Sequence, residues 1–318
     1  MSDWEVALDK QLDGWLFYNS DKGQAYLTGY TESVEAAYEQ DRLDGTTRTM
    51  ARILPQVLWQ SDPIYVTSEM CDLLDAAWPS FQPEALTRED LLVPAGFVWL
   101  ARPVFTIDVR GNRMAHRALA WYSVQATNTK RDGLVLYTFA DPEDRDDYWE
   151  PGGRGSGLFG SAPAVGFMTA LWYGEGWDSE IATTDTRSGD EEIDAEMAKV
   201  ANDEMARFTM ALWRLLNQRI AVGLKRPPSR ATRRRFARAS KAEPKYITVV
   251  TLRRPKNLGE DGDHHPVNWS HRWLVSGHWR WQPYKDGTVK QVWISPYIKG
   301  PDDAPLVIRG ARVFRLAR

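Results

Sequence analysis

The chain has 318 residues, 43% hydrophobic and 26% charged, with a single cysteine. Those values exclude a wholly disordered chain, a collagen-like fibre, a membrane bundle, a disulfide framework and a Cys-rich zinc site. The net charge of −3 is a sum of opposites: residues 1–217 hold 18 Lys+Arg against 36 Asp+Glu, and residues 218–318 hold 22 against 7. A split of that size directs an anionic partner to the basic part.

Residues 1–15 are acidic and mixed, without the basic and apolar regions of a signal peptide. The least polar stretch, residues 161–174, is shorter than the about 20 residues that a membrane span needs. The expectation is a cytoplasmic protein with no membrane contact. Residues 30–60 read as helical, with Val34, Ala37 and Tyr38 on one face and Pro55 and Pro63 as punctuation. Thr67 and Ser68 offer a cap for a helix running to Ala77, in which Cys71 reads as a buried small hydrophobe.

From residue 97 the period changes. Segments 97–100, 104–107, 118–124 and 134–139 are rich in aromatic and β-branched residues and are separated by Gly, Pro, Asn and Asp. They predict antiparallel strands, with a further strand near 163–173. Residues 140–162 and about 178–192 read as acidic or glycine-rich loops. The segment 155–160 fits G-x-G-x-x-G but lacks the strand-to-helix setting of a dinucleotide site. The acidic run at 141–147 lacks the glycine and glutamate of a calcium loop. His264-His265 is an isolated pair. No cofactor and no metal is predicted.

The clearest element runs from Ile193 to Val222. Met197, Val200, Met205, Phe208, Leu212, Leu215, Leu216 and Ile220 recur at steps of three and four, with Gly223 placed as a C-terminal cap. This long amphipathic helix is also a surface for self-association. Pro227-Pro228 then stops it. Residues 224–245 read as a basic arm, in which Arg230, Arg233, Arg234, Arg235 and Arg238 would put charge on every side of any helix they formed.

Four strands are predicted at 246–253, 269–282, 289–298 and 305–315, with a hairpin turn over 283–288. Five of the chain's 15 tryptophans, Trp269, Trp273, Trp279, Trp281 and Trp293, fall in this part. Alternation puts Trp273, Trp279 and Trp281 on one face, with Trp273 and Trp281 expected in an aromatic core, and Arg272, His278 and Arg280 on the other, unless a bulge at Gly277 flips the register. With Val292 and Ile294 facing the core, Trp293 and Tyr297 would point outward as stacking platforms beside the cationic face.

Residues 271–306, HRWLVSGHWRWQPYKDGTVKQVWISPYIKGPDDAPL, resemble a recurrent C-terminal segment of the form HRW-x-V-x-GHWR-x-Q followed by WI-x-PY-x-KGP. That segment is found in proteins of actinobacteria, their phages and mobile elements. The stretches PPSRATRRR and TLRRP are similar to the same group. The resemblance covers about 90 residues and implies a phage or mobile-element provenance, with no activity attached.

The predicted organisation is α+β: an acidic α+β domain over 1–188, the long helix over 189–223, the basic arm over 224–245 and a Trp-rich antiparallel β domain over 246–318. The expected function is binding of DNA or RNA. Phosphate contacts would come from Arg230, Arg233, Arg234, Arg235, Arg238, Arg253 and Arg254, extended by Arg272, His278, Arg280, Trp293, Tyr297 and Lys299. The alternative is an oligomeric interaction protein in which acidic domain meets basic arm. A third is a metal-independent ribonuclease using His271, His278, Arg272, Arg280 and Lys299. No hydrolase, Walker or HExxH motif is present, so binding is favoured over catalysis.

Overall fold

The computed structural model describes residues 3–28, 46–82, 91–107, 113–125, 132–140, 166–173, 179–182, 191–218, 220–240, 243–252, 272–275 and 277–301. The chain divides into two units, Met1–Arg253 and Arg254–Arg318.

The first unit is built on one eight-stranded mixed sheet in the order β6-β5-β4-β3-β2-β1-β8-β7. Its strands are β1 (Asp62–Val66), β2 (Ala95–Ile107), β3 (Arg113–Gln125), β4 (Asp132–Ala140), β5 (Gly166–Tyr173), β6 (Ser179–Ala182), β7 (Ala221–Arg226) and β8 (Ile247–Leu252). The expected meander is there over β2 to β5, and β6, in a stretch read as an acidic loop, extends it: β2 to β6 pair antiparallel in sequence order. The sheet then continues past β2 through two parallel pairings, β2 with β1 and β1 with β8. Ile64, Tyr65 and Val66 of β1 are buried, as a central strand covered on both faces requires.

The helices are α1 (Val6–Tyr18), α2 (Thr46–Gln60), α3 (Ser68–Ala77), α4 (Glu191–Leu216) and α5 (Arg230–Ser240). Leu8 and Leu12 of α1 and Leu54, Val57 and Leu58 of α2 join Phe97, Ala118, Ala120 and Tyr137 in one core on one face of the sheet. Gln11 of α1 donates through Nε2 to the carbonyls of Leu58 (2.5 Å) and Ser61 (3.0 Å), satisfying the C-terminal end of α2. On the other face Trp121 of β3 meets Trp213 of α4 edge to face at 5.8 Å, and Phe208 of α4 stacks on His116 at 5.4 Å. His116 is fully buried beside the Thr106 hydroxyl, 2.7 Å from its Nε2, and burial pushes its pKa down to about 3, so it is a neutral core residue. Cys71 is buried in α3, where burial raises its thiol pKa. Among the described residues no helix is long and apolar enough to cross a membrane.

Several expectations are corrected. The segments around 97–100 and 104–107 are one strand, not two. Between Trp99 and Val104 the pairing with β3 advances only from Ala118 to His116, so residues 100–103 bulge out of the ladder. Arg117 fills that bulge, with Nη1 donating to the carbonyls of Leu100 (3.2 Å) and Ala101 (2.7 Å). Pro55 stands inside α2 rather than ending a helix, because burial of Leu54, Val57 and Leu58 outweighs the missing backbone bond. The Val34, Ala37 and Tyr38 face and the acidic and glycine-rich stretches between 141 and 165 lie outside the described residues.

The long helix ends at Leu216, six residues short of Val222. Val222 and Gly223 belong to β7 and pair with Thr251 and Val250 of β8. Gly223 is therefore a strand residue and not a cap. The side chains from Met205 to Leu216 of α4 are buried within the chain, Thr209 and Arg214 included, except Arg207, which is half-buried. The strand expected to open the C-terminal domain, Ile247–Leu252, lies instead between β1 and β7 in the large sheet. Residues 224–245 are no arm: they hold the end of β7 and the helix α5.

In the second unit the expected long strands are each cut in two. Residues 269–282 give β9 (Trp273–Val275) and β10 (His278–Pro283), and residues 289–298 give β11 (Val289–Ile294) and β12 (Tyr297–Lys299). β10 pairs antiparallel with β11, and β12 with β9. The expected small antiparallel part is thus present, joined by the expected turn. Residues 302–318, which include the fourth expected strand, lie outside the described residues.

Candidate nucleic-acid interface

The arginine run forms a helix because one stripe of it is not basic. Thr232, Phe236 and Ala239 recur at steps of four and three. Thr232 and Phe236 are buried, and Phe236 stacks on Trp59 of α2 at 6.2 Å. Ser229 Oγ accepts from the Thr232 N–H at 3.2 Å, the arrangement of an N-cap.

The acidic side of this contact comes from the first residues of the chain. Glu5, Asp9 and Asp13 are four residues apart and make a carboxylate row along α1. Glu5 is buried at the N-terminal end of α5, where Oε1 accepts from the Ser229 N–H (2.7 Å) and the Thr232 hydroxyl (3.3 Å). A carboxylate there also meets the positive end of the helix dipole. Arg235 donates through Nη1 to Asp9 at 2.8 Å and through Nη2 to Asp13. Burial holds the Asp13 carboxyl above its usual pKa even though Arg235 draws it down. Burial works against the Arg235 charge, but Asp13 and Asp9 outweigh it and raise its pKa.

The other four arginines of α5 are exposed: at 100° per residue Arg230 and Arg233 lie across the helix from Arg235, Arg234 is nearly opposite Thr232, and Arg238 follows Arg235 one turn on. Among the described residues none of them has an ion pair. β7 leads into this ridge from the sheet edge with Lys225 and Arg226 exposed.

The second unit has its own cations and aromatics. Across β10–β11, Trp279 pairs with Trp293 and Trp281 with Gln291, so these share a face; His278, Arg280 and Gln282 share the other with Ile294, Val292 and Lys290. The separation of tryptophan from cation in β10 follows the expected alternation. The placement of β11 does not: Trp293 lies on the tryptophan face and is 3% exposed, 5.4 Å edge to face from Trp279. It is not an outward platform. Gly277 gives the reason, since a Cβ there would fall 2.5 Å from Cζ2 of Trp293. The indole occupies the space a side chain at 277 would need.

Trp281, expected in the core, is 48% exposed, because the face it shares with Trp293 runs out toward the turn. Tyr297 is exposed as expected, and so are His278, Arg280 and Lys299. Arg280 donates through Nη2 to Gln282 at 2.6 Å. Arg272 is half-buried. Arg253, Arg254 and His271 lie outside the described residues. Sequence reasoning missed Trp281 and Tyr284 as exposed aromatics and missed the carboxylate row. The signal for that row was the four-residue spacing of Glu5, Asp9 and Asp13.

No family model matches the chain, and no curated protein matches it. Among solved structures it is similar to one described as the crystal structure of AcrVA2, at 14% identity and a TM-score of 0.36, over 93% of each chain. A likeness that distant bears on neither fold nor function.

Proposed function

We propose that the protein binds nucleic acid, with the outward face of α5 as its principal phosphate contact. The observation that supports this is the division of labour on that helix. One arginine, Arg235, is held by Asp9 and Asp13, while Arg230, Arg233, Arg234 and Arg238 stand exposed and, among the described residues, without an ion pair. A fixed row of guanidinium groups releases counterions from phosphates and gives affinity that falls steeply with salt. Lys225 and Arg226 extend the surface, and Arg280 and Lys299 offer a second one on the other unit.

This reading places the protein in the cytoplasm, and the resemblance of residues 271–306 adds a phage or mobile-element setting. The test is binding of the full chain to labelled DNA and RNA at two salt concentrations. The expected result is affinity at low salt that drops as salt rises; no binding at low salt, or binding indifferent to salt, overturns the proposal.

A further inference from the structure

The tip of the β10–β11 hairpin exposes apolar surface that folding has not covered. Along one face, exposure rises from Trp293 and Gln291, both buried, through Trp279 to Trp281 at 48% and Val289 at 52%. Tyr284, the first residue of the turn, is 48% exposed. The inner end of this face is closed by the Trp293 ring lying over Gly277; the outer end is open.

The tip is also held still. The Tyr284 N–H donates to the Thr288 carbonyl at 2.8 Å and the Gly287 N–H to the Tyr284 carbonyl at 3.1 Å. Asp286 Oδ1 accepts from both the N–H (2.9 Å) and the hydroxyl (2.7 Å) of Thr288, and those bonds hold its carboxyl below the usual range. Gly287 takes the turn at φ 85°. Two aromatic side chains are thus presented on a locked turn, at little entropic cost to a ligand that meets them.

Cations lie within the same hairpin. Lys285 lies in the turn and Arg280 and Lys290 lie on the reverse face of the hairpin, against one acid, Asp286, whose carboxylate is engaged in the turn. The core of a protein–protein interface is depleted of lysine, of which this hairpin has two. Exposed rings on one face, with a lysine in the turn and cations on the reverse face, match the needs of an unpaired strand, whose bases stack while its phosphates are neutralised. A duplex offers phosphates but keeps its base faces stacked internally.

We infer that the Trp281–Tyr284 tip is a stacking site for the bases of single-stranded nucleic acid. This rests on the nucleic-acid reading above and narrows its substrate. The experiment compares the full-length protein with Trp281→Ala and Trp281→Phe on three labelled probes: an oligothymidylate, a blunt duplex of the same length and an abasic strand of the same charge. Trp281→Ala weakens oligothymidylate binding about five- to 150-fold, the range for one stacked base. It leaves the duplex and abasic probes within about twofold, and Trp281→Phe keeps most of the oligothymidylate affinity. Unchanged oligothymidylate binding in Trp281→Ala, or an equal loss on all three probes, overturns the stacking site while leaving phosphate binding standing. Failure of the unaltered protein to bind any of the three at low salt overturns both.

Discussion

Arg235 donates to Asp9 across 226 positions of sequence, at 2.8 Å, and the contact makes a basic segment part of the acidic unit. The charge is not what anchors it. Arg235 is 43% exposed on its side chain, and an ion pair of that kind contributes at most about 1 kcal/mol. Phe236, next in sequence, is buried against Trp59. Arg235→Ala is therefore expected to cost under about 1 kcal/mol and Phe236→Ala about 3 kcal/mol or more, read from denaturant midpoints. Equal costs would contradict this account of how α5 is held.

Among the described residues the arginines of α5 divide into ion-paired and unpaired, and salt dependence reads the difference. Arg233→Ala and Arg234→Ala are each expected to lower the slope of log affinity against log salt by about 1, the share of a single neutralised phosphate. Arg235→Ala is expected to change the slope less, since its guanidinium faces Asp9 and Asp13. The check is a titration of one labelled strand across several salt concentrations. A larger slope change for Arg235 than for Arg233 would mean that phosphates meet the opposite side of the helix.

His116 makes stability depend on pH with a definite sign. Its pKa is about 3 in the folded chain against about 6.5 unfolded, so below 6.5 the unfolded chain binds the extra proton. Its contribution is fully present above about pH 6.5. It disappears as pH falls toward 3, at up to about 1.4 kcal/mol per pH unit. Unfolding midpoints taken between pH 7 and 4 are expected to fall, and less steeply in His116→Gln. Parallel pH profiles for the two proteins would remove His116 as the cause.

Gly277 and Gly287 are required for different reasons. A Cβ at 277 meets the Trp293 ring, with Cζ2 at 2.5 Å, whereas a Cβ at 287 meets nothing within 4 Å but sits at positive φ. Gly277→Ala is expected to displace Trp293 and cost about 1–3 kcal/mol in the second unit. Gly287→Ala is expected to cost about 1 kcal/mol through backbone strain alone. Near-ultraviolet circular dichroism separates them: the tryptophan signal changes for Gly277→Ala and not for Gly287→Ala.

Much of this was legible in the sequence because it is local. The meander from β2 to β5 and the body of α4 follow from periods of two and of 3.6 along contiguous residues, and the hairpin turn from its Asp-Gly. The sign of each half of the chain is a matter of counting. Tertiary structure decided what alternation and counting cannot reach. The pairing of β1 with β8 is parallel and joins residues far apart in sequence, which no local pattern encodes. Phe236 turns an arginine run into a packed helix because Trp59 lies against it, and Asp9 and Asp13 then select which arginine is neutralised. On β11, alternation alone allowed Trp293 to face either way. The empty space over Gly277 settled it by giving the larger ring somewhere to be buried, and left Trp281 exposed at the open end of the same face.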